Sequence, residues 1–558
     1  MIISKQAWVC LVCSMALANG LALAADPPDA GAIQRLERER LERFLQDKRL
    51  SQPPVRPEVG LPATPAADAS SLARNIPVKM FDVDASLILS AEEIHTALAP
   101  YENRTLSLAD LFEAVAALNK LYADKHMPTA RAFLPPQDIK DGIVKIRLIE
   151  AHVGQIKLSP LKNIVPTFIE KRISLAPGDL MSVTQLEADL VRFNRLHGVQ
   201  LRASVQPGSE VGTTDVVLNV VEPDRLQLSV FVDNAGRYSV GEERVGVSAK
   251  ITGLTGHDDN LLFSASKSRG SNSYYLGYSL PLTRNDLRLD VAYSQGDIRV
   301  IKGDFAKLDV SGRSREVSFG LTQPIVVDAE NLWNVYGRAA HKSSLSAFGG
   351  EPQLQIDLVE LSLGISGEHQ TERSAWTLDA NVNQGVRKLG SEENFLVLRA
   401  NAAWLGRFGT RAQLVLRGGL QYSPTELLPS MEQFQLGGNA SVRGYSEGLL
   451  SGRSGYLTSA EVRYALQNPQ ANATRNANIP LVSGFLFVDH GAAFPYRPTP
   501  LNDVTKYDFL TGAGFGLVAD WKSHITARLA LGWALQNNPV EKPQRSPRLH
   551  GTVSYNWP

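Results

Sequence analysis

Cysteine is almost missing from this chain of 558 residues: Cys10 and Cys13 stand alone, both inside an apolar leader. The rest has no thiol, so disulfides, cysteine metal sites and thiol catalysis are excluded there. A charge excess is missing too, with 57 basic against 57 acidic residues, so the composition gives no pull toward nucleic acid. After the first thirty residues no segment approaches the roughly 20 apolar residues of a membrane helix. If the chain crosses a membrane it must do so as a closed barrel, the one other way to satisfy every backbone polar group in lipid. Phosphate loops, paired-carboxylate sites and zinc-like spacings are absent, and the ten histidines are scattered. No cofactor or metal is expected.

What is present falls into blocks. Residues 1–25 read as a secretory leader, with Lys5, an apolar run from Ala7 to Leu23, and Ala22-Leu23-Ala24 as a small-residue cleavage site. Val9 and Val12 precede the cysteines where a lipoprotein site needs a small residue. Residues 26–50 predict one helix, started by Pro27, Pro28 and Asp29. Its apolar residues (Ile33, Leu36, Leu41, Phe44, Leu45) are sparse among alternating Glu and Arg. Such a surface suits water or the polar lumen of a barrel, and the residues alone leave both open. Residues 51–75, with five prolines, read as an extended linker.

An internal repeat follows, over 76–151 and 152–223. The first copy predicts a helix from Ser107 to Tyr122, capped by Ser107 and Asp110, burying Leu108, Leu111, Phe112, Val115 and Leu118. The second predicts Thr184 and Glu187 as a capping box ahead of Leu186, Leu190 and Phe193. Each helix leads through Asn119 or Asn194 to a strand at Arg131-Ala132 or Arg202-Ala203. Each copy then closes on an alternating strand ending in Glu150 or Glu222. The order is β-α-α-β-β. A small sheet of this kind leaves an edge that can pair with an extended polypeptide through backbone bonds.

From 224 to 558 the pattern changes to period two, as in Leu287, Leu289, Val291 and Tyr293 against Arg288, Asp290, Ala292 and Ser294. About 16 strands are expected, an even number at the spacing of outer-membrane barrels. One interruption is too glycine-rich for a strand: Gly437-Gly438-Asn439-Ala440-Ser441-Val442-Arg443-Gly444-Tyr445. It follows the eleventh strand and presents Arg443. Asp489, in Phe487-Val488-Asp489-His490-Gly491 on the thirteenth strand, is its candidate acceptor. Phe485, Phe487 and Asp489 share the inward face, and Leu486 and Val488 face lipid.

Val442-Arg443-Gly444-Tyr445 followed by Phe487-x-Asp489-x-Gly491 resembles the paired signature of the outer-membrane insertase and two-partner-secretion superfamily. The two repeats resemble POTRA domains. Plug helix, linker, two repeats and a 16-stranded antiparallel membrane β-barrel together resemble the TpsB, or haemolysin secretion/activation, family (ShlB/FhaC/HecB-like). The resemblance implies a sixth external loop folded into the lumen, with Arg443 locked to Asp489. It implies a transporter, not an enzyme, in the bacterial outer membrane with its amino-terminal domains periplasmic. Its partner would be a large secreted exoprotein (an adhesin, cytolysin or contact-dependent inhibition toxin), bound unfolded by the repeats. Outer-membrane lipid and the barrel-assembly machinery are the other partners implied, and nucleic acid is not one. The chain ends in Trp557-Pro558, where the family's assembly signal ends on an aromatic.

Two other readings remain: an insertase of the same superfamily, which carries more repeats, and a gated uptake receptor or porin, which would need a globular plug. Gly444-Tyr445-Ser446-Glu447-Gly448 matches a nucleophile elbow, but that motif requires a helix to follow and none is predicted. Asn-x-Ser/Thr at Asn103, Asn439 and Asn472 is read as incidental.

Overall fold

The computed structural model describes residues 29–60, 76–125, 127, 129–139, 141–210, 212–387, 394–467, 480–495, 508–521, 524–539, 541 and 546–557. The expected leader, most of the linker, Asn472 and Pro558 lie outside the described residues. Helix α1 (Ala30–Ser51) opens on Asp29, whose carboxylate accepts the Ala32 amide at 3.1 Å. It lies in the barrel lumen, which decides between the two environments that its sequence allowed. Apolar residues pack with the wall at its two ends, and Leu36 is buried between them. Ala30 and Ile33 pack with Val240 and Ile298, and Leu50 packs with Ala375, Ala403, Leu405 and Val415. Between them charges meet charges on the wall: Arg38 with Glu316 at 2.8 Å, Asp47 with Arg417 at 2.6 Å, Arg49 with Glu368 at 3.1 Å. Phe44 packs on neither end and is 64% exposed within the lumen.

After α1 comes a two-residue strand, β1 (Val59–Gly60), and then the repeats. The first contains β2 (Ile76–Val78), β3 (Met80–Val83), α2 (Ala91–Leu98), β4 (Arg104–Leu106), α3 (Leu108–Asp124), β5 (Arg131–Phe133) and β6 (Ile143–Ile149). The second contains β7 (His152–Leu158), α4 (Pro166–Glu170), α5 (Val183–Leu196), β8 (Gln200–Pro207) and β9 (Thr213–Val221). Their sheets run β3-β6-β5 and β1-β8-β9-β7. The sequence repeat is a repeat of hydrogen bonds. Asn119 clamps the backbone of Ala132, accepting its N–H at 2.7 Å and donating to its carbonyl at 3.2 Å; Asn194 does the same to Leu201 at 2.7 and 2.8 Å. Glu150 accepts the amides of Leu87 and Ile88 at 2.7 and 3.3 Å, and Glu222 those of Lys162 and Asn163 at 2.6 and 2.7 Å.

Two local expectations are corrected. Phe112 is 42% exposed, because the buried stripe of α3 runs through Leu111, Ala114, Val115, Leu118 and Tyr122, and Phe112 lies about 100° around from Leu111. The cap of α5 is Ser182, which accepts the Gln185 amide at 3.2 Å. Ser182-x-x-Gln185 and Thr184-x-x-Glu187 overlap, and the earlier frame wins, placing Thr184 within the first turn. The linker also has an anchor that its composition did not reveal. β1 pairs in parallel with the edge of the second repeat, Val59 opposite Ala203 and Gly60 opposite Ser204.

The wall begins with β10 (Leu226–Asp233), β11 (Arg244–Thr252), β12 (Asn260–Lys267), β13 (Ser271–Pro281), β14 (Arg288–Arg299) and β15 (Val310–Val327). It continues with β16 (Asn331–Phe348), β17 (Glu351–Gln370), β18 (Ser374–Gly385), β19 (Leu396–Phe408) and β20 (Ala412–Tyr422). A short hairpin apart from the wall follows, β21 (Phe434–Leu436) and β22 (Leu450–Gly452). Then β23 (Ser454–Ala465), β24 (Leu481–Phe494), β25 (Phe509–Trp521), β26 (Ile525–Ala534) and β27 (Arg548–Trp557) complete it. All these wall strands are antiparallel, 16 of them, and β27 returns to β10 from Leu228↔Trp557 to Asp233↔Thr552. Closure removes the edges that a lipid-exposed sheet cannot leave unpaired. Outward positions are apolar, with Leu486 and Val488 66% and 53% exposed, and Trp333 meets Trp376 edge-on at 5.6 Å on the outer face. Inward positions carry Glu316, Arg338, Lys342 and Glu360.

The second repeat is docked against the barrel's near-side turns. Arg172 donates to Asp286 at 2.7 Å, and His197 sits between Asp258 and Asp286 at 3.1 and 3.2 Å. Arg195 reaches Gln370 at 2.6 Å. The loop between β20 and β23 belongs to the opposite end.

Candidate functional site: a loop tip locked to the barrel wall

The chain between β20 and β23 turns back into the lumen through the β21–β22 hairpin, and its tip is the glycine-rich stretch. Gly444 has φ +101°, and a Cβ there would lie 2.8 Å from the backbone of Trp533 and Ala534, so only glycine lets the tip lie flat on the wall. The two large neighbours anchor it. Val442 and Tyr445 are fully buried with Leu436, Leu457, Ala493 and Leu510. The Tyr445 hydroxyl lies 3.0 and 2.9 Å from the carbonyl oxygens of Thr511 and Gln536. The Gly444 amide donates to His550 Nε2 at 3.1 Å.

Arg443 is brought to Asp489. Nε donates to Oδ2 at 2.7 Å and Nη2 to Oδ1 at 2.8 Å, a two-pronged pair, and the Arg443 amide adds a third bond at 3.1 Å. Asp489 is fully buried and also accepts from the Ser459 hydroxyl at 2.7 Å. Phe487 supplies a face for the cation, its ring centroid 3.5 Å from the guanidinium carbon. Gly491 leaves room for the hairpin, since a Cβ there would come within 2.8 Å of Leu436 Cδ1.

Several members of this site had no signal in the two motifs. Glu461 on β23 takes Arg443 Nη1 at 2.6 Å and also binds Arg463 and Arg528, each at 2.7 Å. The charge in the lumen wall is therefore a network of two carboxylates and three guanidiniums, in which each carboxylate has more than one partner. Gly512 admits the loop backbone, for a Cβ there would lie 1.9 Å from the Arg443 carbonyl oxygen. Gly514 and Gly516 lie beneath the rings of Phe487 and Phe485. An inward glycine run on the strand beside an inward Phe-x-Phe-x-Asp is the signal that could have found them. His490 faces the other way, held on the outer wall between the Tyr456 and Thr511 hydroxyls at 2.9 and 2.8 Å.

The site chemistry is positional. It fixes a loop across a polar conduit that α1 occupies, and the loop touches that helix where Gln435 donates to the Ala32 carbonyl at 2.8 Å.

Comparison with known proteins agrees with this geometry. The model of the haemolysin secretion/activation protein family ShlB/FhaC/HecB matches residues 212–519, and that of the ShlB-type POTRA domain matches residues 76–151. The outer membrane transporter CdiB of Dickeya dadantii (strain 3937) is 24% identical over 477 residues, covering 81% of each chain. The heme/hemopexin transporter protein HuxB of Haemophilus influenzae is 23% identical over 490 residues, 83% of each. The solved structure of CdiB from Escherichia coli superposes with a TM-score of 0.66 at 21% identity, over 96% of this chain and all of that one, and so shares the fold. Because the family match spans more than half of the chain, the protein belongs to the haemolysin secretion/activation family, a family of transporters rather than enzymes: outer-membrane β-barrels of two-partner secretion with periplasmic POTRA domains.

Proposed function

We propose that this transporter exports one large partner exoprotein, an adhesin, cytolysin or contact-dependent inhibition toxin, and carries out no catalysis of its own. In this reading residues 26–50 are the plug, 51–75 its tether, 76–151 and 152–223 the client-binding pair, and 224–558 the conduit. The observation that carries it is the course of the tether. Its start continues from a helix held in the lumen by ion pairs, and a few residues on, Val59 and Gly60 form a strand on the β8 edge of the second repeat. An extended client segment pairing with that edge competes with β1 for the same backbone groups, so client binding slackens the tether of the plug. Ala203 N–H donates to the Glu58 carbonyl at 2.9 Å, and Arg202 meets Glu58 at 3.2 Å. A client strand with an acidic residue before an apolar one would reproduce those contacts.

The Arg443–Asp489 pair is the loop-to-barrel lock of this proposal, with Val442, Gly444 and Tyr445 on the loop and Phe487 and Gly491 on the strand forming its seat. Its role is to set the conformation of the conduit during passage. The periplasm offers no nucleotide, so folding of the client outside supplies the direction. Insertion of the barrel into lipid would pass through the barrel-assembly machinery. Comparison of culture-supernatant and outer-membrane proteomes with and without this protein tests the reading. Loss of one large secreted protein with other barrels unchanged is expected, and general loss of barrels would make the protein an insertase instead.

A further inference from the structure

The stretch Gly444-Tyr445-Ser446-Glu447-Gly448 does not make a nucleophile, and its fourth residue has another use. Glu447 is 6% exposed, although a glutamate on a loop tip normally reaches water. Its carboxylate has two partners. Oε1 accepts the Asn439 amide at 2.6 Å, holding the tip's own turn, and Oε2 accepts Arg40 Nη2 at 2.8 Å, from the plug helix. Arg40 also donates to Glu37 at 2.7 Å, Glu37 accepts from Arg244 on β11 at 2.5 Å, and Arg244 is paired with Asp233 on β10 at 2.7 Å. Wall, plug and loop are thus joined by one alternating series of charges: Asp233, Arg244, Glu37, Arg40, Glu447. The next loop residue leans on the plug as well, since a Cβ on Gly448 would lie 3.1 Å from Leu36 Cδ1.

We infer that Glu447 is the positioning residue through which the loop lock senses whether the plug is in place. The inference rests on the proposed displacement of α1. When α1 leaves, Glu447 loses its guanidinium and keeps only the Asn439 amide. A carboxylate left that way is costly, so the loop tip must shift to regain a cation or water. Coupling of this kind is reciprocal: whatever loosens the tip at Glu447 also lowers the affinity of the lumen for the plug. Arg443 and Asp489 fix the tip to the wall, and Glu447 makes that fixed position conditional on α1.

The test is a double-mutant cycle in the full-length protein, Arg40→Gln, Glu447→Gln and both together. Plug exit is read as open probability in planar bilayers, and loop mobility as maleimide labelling of a single cysteine placed by Asn439→Cys. Each single change is expected to raise open probability and labelling together, by roughly tenfold within the usual 5- to 150-fold range of such couplings. The double variant is expected to be no worse than the more severe single, and Arg40→Lys to keep most of the coupling. Additive effects, or an Arg40→Gln protein that opens without faster loop labelling, would overturn the inference while leaving plug displacement intact. Absence of openings even with client present would instead overturn plug displacement. Arg40 lies outside the barrel wall, so its variant carries the test even if Glu447→Gln fails to assemble.

Discussion

Arg443→Ala is the perturbation whose size can be worked from the contacts. It removes both guanidinium bonds to Asp489 and the 2.6 Å bond to Glu461, together with the stacking on Phe487. Two fully buried carboxylates are left, and breaking a buried pair from one side costs about 3–5 kcal/mol. The lower end applies here. Asp489 keeps the Ser459 hydroxyl and the amide of residue 443, and Glu461 keeps Arg463 and Arg528. About 3 kcal/mol in the docking equilibrium of the loop is roughly a hundredfold in its undocked population. Asp489→Asn is gentler, because Arg443 retains Glu461 and the ring. Weakening a charged hydrogen bond by about 1.5 kcal/mol gives roughly tenfold.

The assay follows from the scarcity of cysteine. The only two cysteines lie in the expected leader, so Asn439→Cys gives a single reporter whose maleimide labelling rate follows the undocked fraction. Client secretion is measured in the same strains. The expected order of labelling is wild type, Asp489→Asn, Arg443→Ala. The reasoning is refuted if Arg443→Ala labels and secretes like wild type, or if Asp489→Asn is the more damaging of the two.

Gly512→Ala should undock the loop about as much as Arg443→Ala, because its Cβ would lie 1.9 Å from the Arg443 carbonyl oxygen. Gly484→Ala, whose nearest atom would be 3.9 Å away, should label like wild type in the same assay. In the first repeat, burial raises the Glu150 pKa, but bonds from Ser86, Leu87, Tyr122 and Ile88 outweigh it and hold the pKa below the usual carboxylate value. That stability is full above the unfolded glutamate pKa of about 4.3 and is lost as pH falls through the lower folded value. Hydrogen-exchange protection of Leu87 and Ile88 should therefore fall on acidification and show no such loss in Glu150→Gln. Val59 packs partly against the core of the second repeat. Val59→Asp should weaken the tether by about 1 kcal/mol, half of a fully buried valine, and so tighten client-fragment binding roughly fivefold in a fluorescence titration. Unchanged or weaker binding would refute competition at that edge.

Most of the architecture was legible because its signals are periodic. The inward and outward alternation had to hold in every wall strand, so the eleventh and thirteenth could be counted and Asp489 assigned a face. The repeats were legible because each needs its own asparagine clamp and terminal glutamate. What stayed hidden was contact between segments of unlike pattern. Nothing in Glu58-Val59-Gly60 marks a strand, since a two-residue parallel pairing is made by the edge it meets. Gly512 reads as an ordinary strand glycine until the Arg443 backbone is laid against it. Phe112 and Thr184 were misread for a local reason, the choice between neighbouring frames one or two residues apart.

The polar surface of α1 has a physical logic of its own. Its clustered apolar contacts with the wall lie at the ends, Ala30 and Ile33 at one and Leu50 at the other, while Leu36 is buried beside Gly448 of the loop. Burying a continuous apolar stripe would gain about 25 cal/mol for each Å² removed from water, and a helix of 22 residues so sealed would be hard to expel. Ion pairs behave differently in a lumen that water can enter. Asp47 and Arg49, half-exposed on the helix, exchange Arg417 and Glu368 for hydration when the helix leaves, and such pairs lose about 0–1 kcal/mol each where solvent reaches them. The buried Arg40–Glu447 pair is the exception. The helix is thus placed with high geometric specificity and modest affinity, which is what the proposed plug role, yielding to a client, would require. The same argument sets the opposite rule for the loop. Arg443, Asp489 and Glu461 are sealed from water beneath Phe487, so separating them carries the full cost of buried charge. One lumen therefore holds two charged attachments of unequal strength, and the weaker should release first.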